Sequence, residues 1–327
     1  MLDDRKAAIL RAVVEEYIDT AQPVGSSHLA RSAGIDVSPA TIRNEMAALE
    51  REGYLDQPHT SAGRVPTDKG YRFFVDTLSG PGALQPSQRQ QVKSFFDQAH
   101  GELEQMLAET SRLLSNLTDH TAVVVAPAHD RASVRSVQLV WLAPKVALLV
   151  AVLSNGAIEK RTLEFAADMP EEQVVAASAH LAATISGSTL TTIGDPLPTT
   201  DTTVDEIVGA ALSSLHGADG DQVYVGGAAR MADAVQNVRR VLELLEHQLV
   251  VVSLLHDVLD RGLSVAIGTE TGLEPLAECA VVVAPYDVDG ERAGTIGILG
   301  PTRMNYPQAL AAVATVSQRL GHRLREG

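Results

Sequence analysis

One cysteine in 327 residues leaves no partner for an internal disulfide. That residue, Cys279, precedes Ala280-Val281-Val282-Val283, so a buried, inert thiol is expected there rather than a nucleophile. No apolar run reaches the ~18–20 residues that a membrane-spanning helix needs. The opening residues, Met1-Leu2-Asp3-Asp4-Arg5-Lys6, are charged and read as the start of a helix rather than a signal sequence. A cytoplasmic protein with no membrane partner is expected. Aromatic residues make up only 4% of the chain, so its cores must be built from small aliphatic side chains. Positive charge is also scarce. The formal net charge is −15, and residues 1–78 carry nine Lys and Arg against twelve Asp and Glu. Indiscriminate attraction to nucleic acid is excluded, and a DNA reader in such a chain must work by geometry more than by counterion release.

The usual marks of catalysis are missing too. The ten histidines are scattered, no two have metal-ligand spacing, and a second cysteine is absent. There is no Gly-x-Ser-x-Gly elbow. Gly294-x-x-Gly297-x-x-Gly300 opens no helix and reads as strand and turn. Gly226-Gly227 reads as a plain turn, and Trp141 as a core or interface residue. Neither an enzyme nor a cofactor is expected.

What is present is concentrated near the amino terminus. Ala8, Ile9, Ala12, Val13, Tyr17 and Ile18 recur at helical spacing over Asp4–Thr20, and Pro23 with Gly25 turns the chain. Ser26 precedes a short helix over Ser27–Ala33, and Gly34 suits a left-handed turn. Ser38-Pro39 then starts a third helix, with Ser38 as N-cap and proline at the first position, where its missing N–H costs nothing. Ile42, Met46 and Leu49 share one face. At ~100° per residue, Ala40, Asn44, Ala47, Ala48 and Arg51 fall opposite, flanked by Thr41 and Arg43. That outer face is small and polar, fit to approach base edges, with Asn44 suited to adenine and Arg43 to guanine or phosphate. After Gly53 a two-stranded ribbon is expected, Gly53-Tyr54-Leu55 out and Arg64-Val65-Pro66 back, with a hydrogen-bonding tip over His59-Thr60-Ser61-Ala62-Gly63. Ser27, Ser38, Ala40, Thr41, Arg43, Asn44, Ala47, Arg51, His59, Thr60, Ser61 and Arg64 are the candidate DNA contacts, with Arg64 on the backbone or minor groove. Thr67 should cap the next helix, which carries Tyr71, Phe73, Phe74 and Leu78.

Three segments, VGSSHLA at Val24–Ala30, SPATIRNEMAALE at Ser38–Glu50 and GYLDQPHTSAGRVPTDKGYRFFVD at Gly53–Asp76, closely resemble the HrcA family of bacterial heat-shock repressors. HTSAGRVPT is the most specific string, since a generic winged helix does not require it. ILGPTRMNYPQAL at Ile298–Leu310 fits more loosely. The resemblance implies a homodimeric repressor of chaperone operons that binds an inverted-repeat operator called CIRCE on double-stranded DNA. It also implies a GroEL-type chaperonin that keeps the repressor competent, and a winged helix joined to a GAF-like domain with a dimerising insertion.

Beyond the linker at Gly80-Pro81-Gly82, one long helix is expected over Gln88–Leu117. Strands should follow at Ala122–Ala126, Val134–Leu142, Lys145–Leu153 and Ile158–Phe165, with a hairpin turn at Asn155-Gly156. Helices at Glu171–Ser186 and Val204–Leu215 interrupt the strands. A nearly all-apolar helix over Val235–Leu259 belongs in a core or interface, before strands at Leu263–Ile267, Ala280–Ala284 and Ala293–Leu299 and a closing helix over Pro307–Leu324. The expected class is α+β, multidomain, with an antiparallel sheet and helices to one side. The expected domains are 1–80 for DNA binding, 81–165 with 236–327 for the connector and GAF-like domain, and 166–235 for the dimerising insertion. An effector-responsive regulator with a ligand in the GAF-like cavity is the alternative. A winged helix on a biotin ligase is disfavoured, because the Gly-Arg-Gly-Arg loop of those enzymes is absent.

Overall fold

The computed structural model describes residues 2–32, 37–59, 62–78, 80, 82–98, 102–127, 132–154, 157–189, 192–193, 197–216, 222–231, 238–261, 264–288 and 290–326. The expected turns at Gly34 and Asn155-Gly156 fall outside them. Helix and sheet are mixed, and every described strand pairing is antiparallel.

The amino-terminal head packs α1 (Asp4–Thr20), α2 (Ser26–Ser32) and α3 (Pro39–Arg51) around Ile9, Leu10, Val13, Leu29, Ile42, Met46 and Leu49, all buried. α1 ends at Ala21 in the left-handed region (φ 53°), before the proline and glycine expected to stop it. A ribbon of β1 (Leu55–Asp56) and β2 (Val65–Pro66) follows, then α4 (Asp68–Asp76).

The body is a five-stranded sheet in the order β7-β3-β10-β9-β8, formed by β3 (Thr121–Val125), β7 (Val223–Gly226), β8 (Val265–Ile267), β9 (Cys279–Val288) and β10 (Glu291–Pro301). Along β3, β8 and the inner parts of β9 and β10 burial does not alternate, so both faces of the sheet are covered there. Ala122, Val124, Ala280, Val282, Ile296 and Ile298 belong to one buried cluster with α6 (Leu103–Thr118) and α11 (Tyr306–Glu326). Val123, Val125, Val281, Val283 and Leu299 belong to another with α9 (Val238–Glu246) and α10 (Gln248–Asp260). Helices on both faces replace the expected single helical layer. Two expected long helices are each broken. α5 (Pro86–Gln98) and α6 are separate because Glu102 is extended (ψ 149°), and α9 and α10 are separate because His247 leaves helical geometry (ψ 84°).

The sheet also divides elsewhere than expected. β4 (Val134–Ala143), β5 (Val146–Leu153) and β6 (Ile158–Glu164) form their own three-stranded sheet rather than extending the body's. Val174, Ala177 and Leu181 of α7 (Glu171–Ile185) and Ile207, Val208 and Ala211 of α8 (Thr202–His216) share a buried cluster with Ala147, Leu149, Ala151 and Leu153 of β5. β7, within the span 166–235 expected to be insertion, pairs with β3 of the body.

Candidate nucleic-acid interface

α3 begins as its sequence dictates. Ser38 is extended (ψ 151°), its Oγ accepts from the Thr41 amide at 3.2 Å, and Pro39 takes the first helical position. Ile42, Met46 and Leu49 anchor the helix with 0%, 3% and 0% exposure. Ala40, Arg43, Asn44 and Arg51 are exposed on the far side and Ala47 is half-buried, so the structure brings these five to one surface. Thr41 is half-buried, and its Oγ1 lies 3.0 Å from Ser38 Oγ, so the cap engages both hydroxyls. Ser27, on α2, is exposed.

Several residues of the ribbon have a local backbone task. The chain leaves α3 through Gly53 in the left-handed region (φ 79°). A Cβ on Gly63 would sit inside the carbonyl group of Val24, so only glycine lets the returning strand lie against the α1–α2 turn. There Val24 N donates to Arg64 O at 2.8 Å and Arg64 N to Val24 O at 2.9 Å. Gln57 Nε2 donates to Ala62 O at 3.0 Å across the tip. Thr67 Oγ1 donates to Gly53 O at 2.7 Å and accepts from Gly70 N at 3.2 Å. Gly70 in turn has no room for a side chain beside the Tyr54 carbonyl. Lys69 Nζ donates to Glu52 O at 2.8 Å and stands 4.2 Å from the centre of the Tyr54 ring. His59 is exposed at the tip, while Thr60 and Ser61 lie outside the described residues. Arg64, read from sequence as a backbone or minor-groove contact, turns its side chain onto α3. Its Nε donates to Glu50 Oε2 at 2.8 Å, and the side chain is 17% exposed.

Glu50 was not singled out in the sequence, where an acid one position before Arg51 reads as a solvated charge. Other acids of the head are also paired. Glu52 accepts from Lys6 at 2.7 Å, and Glu16 lies 2.8 Å from His28. Such pairing mutes the negative charge around α3 without supplying positive bulk.

The head is bolted to the body through α4. Arg72 Nε donates to Glu270 Oε1 at 2.9 Å, while Nη2 reaches Glu270 Oε2 and donates to Val265 O at 2.7 Å. The hydrogen bond to Glu270 raises the Arg72 pKa further. Gly268 adopts φ 53° and brings bare backbone against the Asp68 carboxylate, which accepts from Thr269 N at 3.3 Å. The Tyr71 and Tyr306 rings meet at 6.0 Å, and burial raises both hydroxyl pKa values. In the body, Cys279 is fully buried, and desolvation pushes its thiol up to about 12.

A small helical head with an exposed polar helix, clamped to a larger body of mixed helix and antiparallel sheet, is a build that suits a transcription regulator. The family described as "HrcA protein C terminal domain" matches residues 104–310. The heat-inducible transcription repressor HrcA of Acidothermus cellulolyticus is 40% identical over 339 residues and covers all of both chains. Those of Streptomyces avermitilis and Thermobifida fusca are 37% and 39% identical, covering 100% and 98% of this chain and 100% and 96% of the relatives. A solved structure described only as a hypothetical protein at 2.2 Å resolution shares the fold, with a TM-score of 0.68 and 22% identity over 100% of this chain and 99% of that one. The chain belongs to the HrcA family of heat-inducible transcription repressors, which are not enzymes. No described helix is long and apolar enough to cross a membrane.

Proposed function

We propose that this repressor binds a CIRCE-type inverted repeat upstream of chaperone operons as a homodimer. Each head acts as a winged helix-turn-helix on one half-site, with α3 in the major groove and the ribbon as the wing. The observation that carries this reading is the two-faced α3, with Ile42, Met46 and Leu49 buried beneath exposed Ala40, Arg43, Asn44 and Arg51. Small side chains let the helix sit close, Arg43 and Asn44 read base edges, and Ser27, Ser38, Arg51 and the wing tip from His59 through Thr60 and Ser61 set register on the backbone.

In this reading the five-stranded body is the GAF-like domain, and the unit spanning 134–216 makes the dimer. Opposite the face of β5 that packs on its helices, Val140, Leu142 and Ile158 are 36%, 52% and 37% exposed, around half-buried Leu148, Val150 and Val152. An apolar sheet face of this kind, on an otherwise charged chain, suits a second copy of itself. A GroEL-type chaperonin sustains the competent state by binding and refolding the marginal one.

Gel-shift titration of Asn44→Ala tests the reading. Loss of about 1–2 kcal/mol on the repeat, with relaxed discrimination at one base pair and little change on random duplex, is expected. Equal loss on both DNAs would remove Asn44 from base readout. Added chaperonin should raise the fraction of protein active for the repeat, and an unchanged fraction would remove the chaperonin from the mechanism.

A further inference from the structure

We infer that Arg64 and Glu50 form a clamp that aims the ribbon relative to α3, making both positioning residues for operator binding rather than DNA contacts. This rests on the DNA-binding reading above.

The ribbon cannot aim itself. Each of its strands pairs over two residues only, Leu55 with Pro66 and Asp56 with Val65, and so short a hairpin has no independent stability. Its outgoing strand is fixed to α3 by the turn at Gly53. Its return strand is fixed to the α1–α2 turn by the Val24–Arg64 backbone pair and by the close approach of Gly63. Leu55 is buried against the head, and Tyr54 N donates to Leu49 O of α3 at 2.9 Å. Arg64 to Glu50 at 2.8 Å adds a side-chain link from the return strand to α3.

Charge placement favours the same assignment. Glu50 stands in the last turn of α3, where a carboxylate opposes the helix dipole. Beside a phosphate backbone it would also repel the ligand. An acid in that position is tolerated when it serves a cation already there, and the Arg64 Nε–H points at it. Arg64 is the more enclosed partner, at 17% side-chain exposure against 34% for Glu50. A guanidinium meant for phosphate would be expected to stand clear, as Arg43 and Arg51 do.

The two roles predict opposite signs for one substitution. In a clamp, Glu50→Gln weakens binding. In a phosphate contact, removing the acid frees Arg64 and leaves binding equal or tighter. The experiment compares wild type, Glu50→Gln, Arg64→Gln and the double variant on a CIRCE-type repeat and on random duplex, across a salt series. Each single variant should lose about three- to tenfold on the repeat. The double variant should lose no more than the worse single. Random-duplex binding and the salt slope should stay at the wild-type values. Two results overturn the clamp. One is unchanged or tighter binding by Glu50→Gln, together with a salt slope lowered by about one in Arg64→Gln. The other is equal loss on both DNAs, which marks general destabilisation of the head. Wild-type protein that does not prefer the repeat overturns the DNA-binding reading itself, an outcome separate from both.

Discussion

The head and the three-stranded unit at 134–216 are built on opposite principles. In the head, segments of two to seventeen residues are held by caps, tight turns and side-chain links to nearby backbone, such as Ser38 to Thr41 N and Thr67 to Gly53 O. In the three-stranded unit, β4, β5 and β6 are longer and pair by ladder, with a register shift near each end of β4, one face under α7 and α8 and the other toward solvent. The first kind of structure is written in residue types whose backbone roles are narrow. The second is written in a hydrophobic pattern that many sheets would accept.

Four substitutions or titrations test how separate these regions are. The largest effect is expected at Leu149, fully buried in β5. Leu149→Ala should cost the three-stranded unit about 3–4 kcal/mol through lost burial and the cavity left behind. Hydrogen exchange should quicken within 134–216 and stay slow in α1 and α3. Comparable loss of protection in the head would break the distinction. Gly63→Ala makes the converse test. Its methyl group collides with the Val24 carbonyl, and about 2–3 kcal/mol of head stability should go with it. The Val24 amide should exchange faster while β5 amides hold.

The body responds to neither and has its own signature. His120 follows the left-handed Asp119 that ends α6, packs against Gly300, and is held neutral by burial and by nearby Arg303, which lower its pKa from 6.5 to about 4. Its folded pKa lies below the unfolded one, so the unfolded chain takes up the proton first and stability falls as pH drops from 6.5 toward 4. A loss of about 2 kcal/mol across that window is expected, allowing for partial exposure. Chemical denaturation at several pH values should show it in the wild type and not in His120→Asn. A wild type with the same slope as the variant would dismiss the histidine. Asn44→Ala, smallest in energy, should leave every one of these stabilities alone and change DNA affinity only.

The same contrast explains what the sequence disclosed. α1, α3, α4 and the ribbon lie within a residue or two of their expected bounds, because Ser38-Pro39, Gly53, Gly63 and Thr67 each permit few alternatives. HTSAGRVPT is specific because Gly63 and Thr67 each meet a particular backbone atom and Arg64 meets the Glu50 carboxylate. The contact between Arg64 and Glu50 was not legible in the sequence, because an arginine beside a polar tip reads as a phosphate ligand until its partner on α3 is seen. In the body the strands were visible but their partners were not. The unalternated Ala280-Val281-Val282-Val283 signals burial on both faces, which a single helical layer cannot provide, yet that implication emerged only once α9 and α10 were placed against it.

Residue order alone settled the segments whose backbone demands are local: the capped and turned elements of the head, the existence of the β4–β6 strands, and the buried fate of Cys279. Tertiary structure decided which strands share a sheet, where two long apolar stretches break into helix pairs, and which acid Arg64 meets. The division has a physical cause. Capping and tight turns are settled between neighbours in the chain, whereas strand partners, two-sided burial and ion pairs depend on groups that approach only when distant segments fold together.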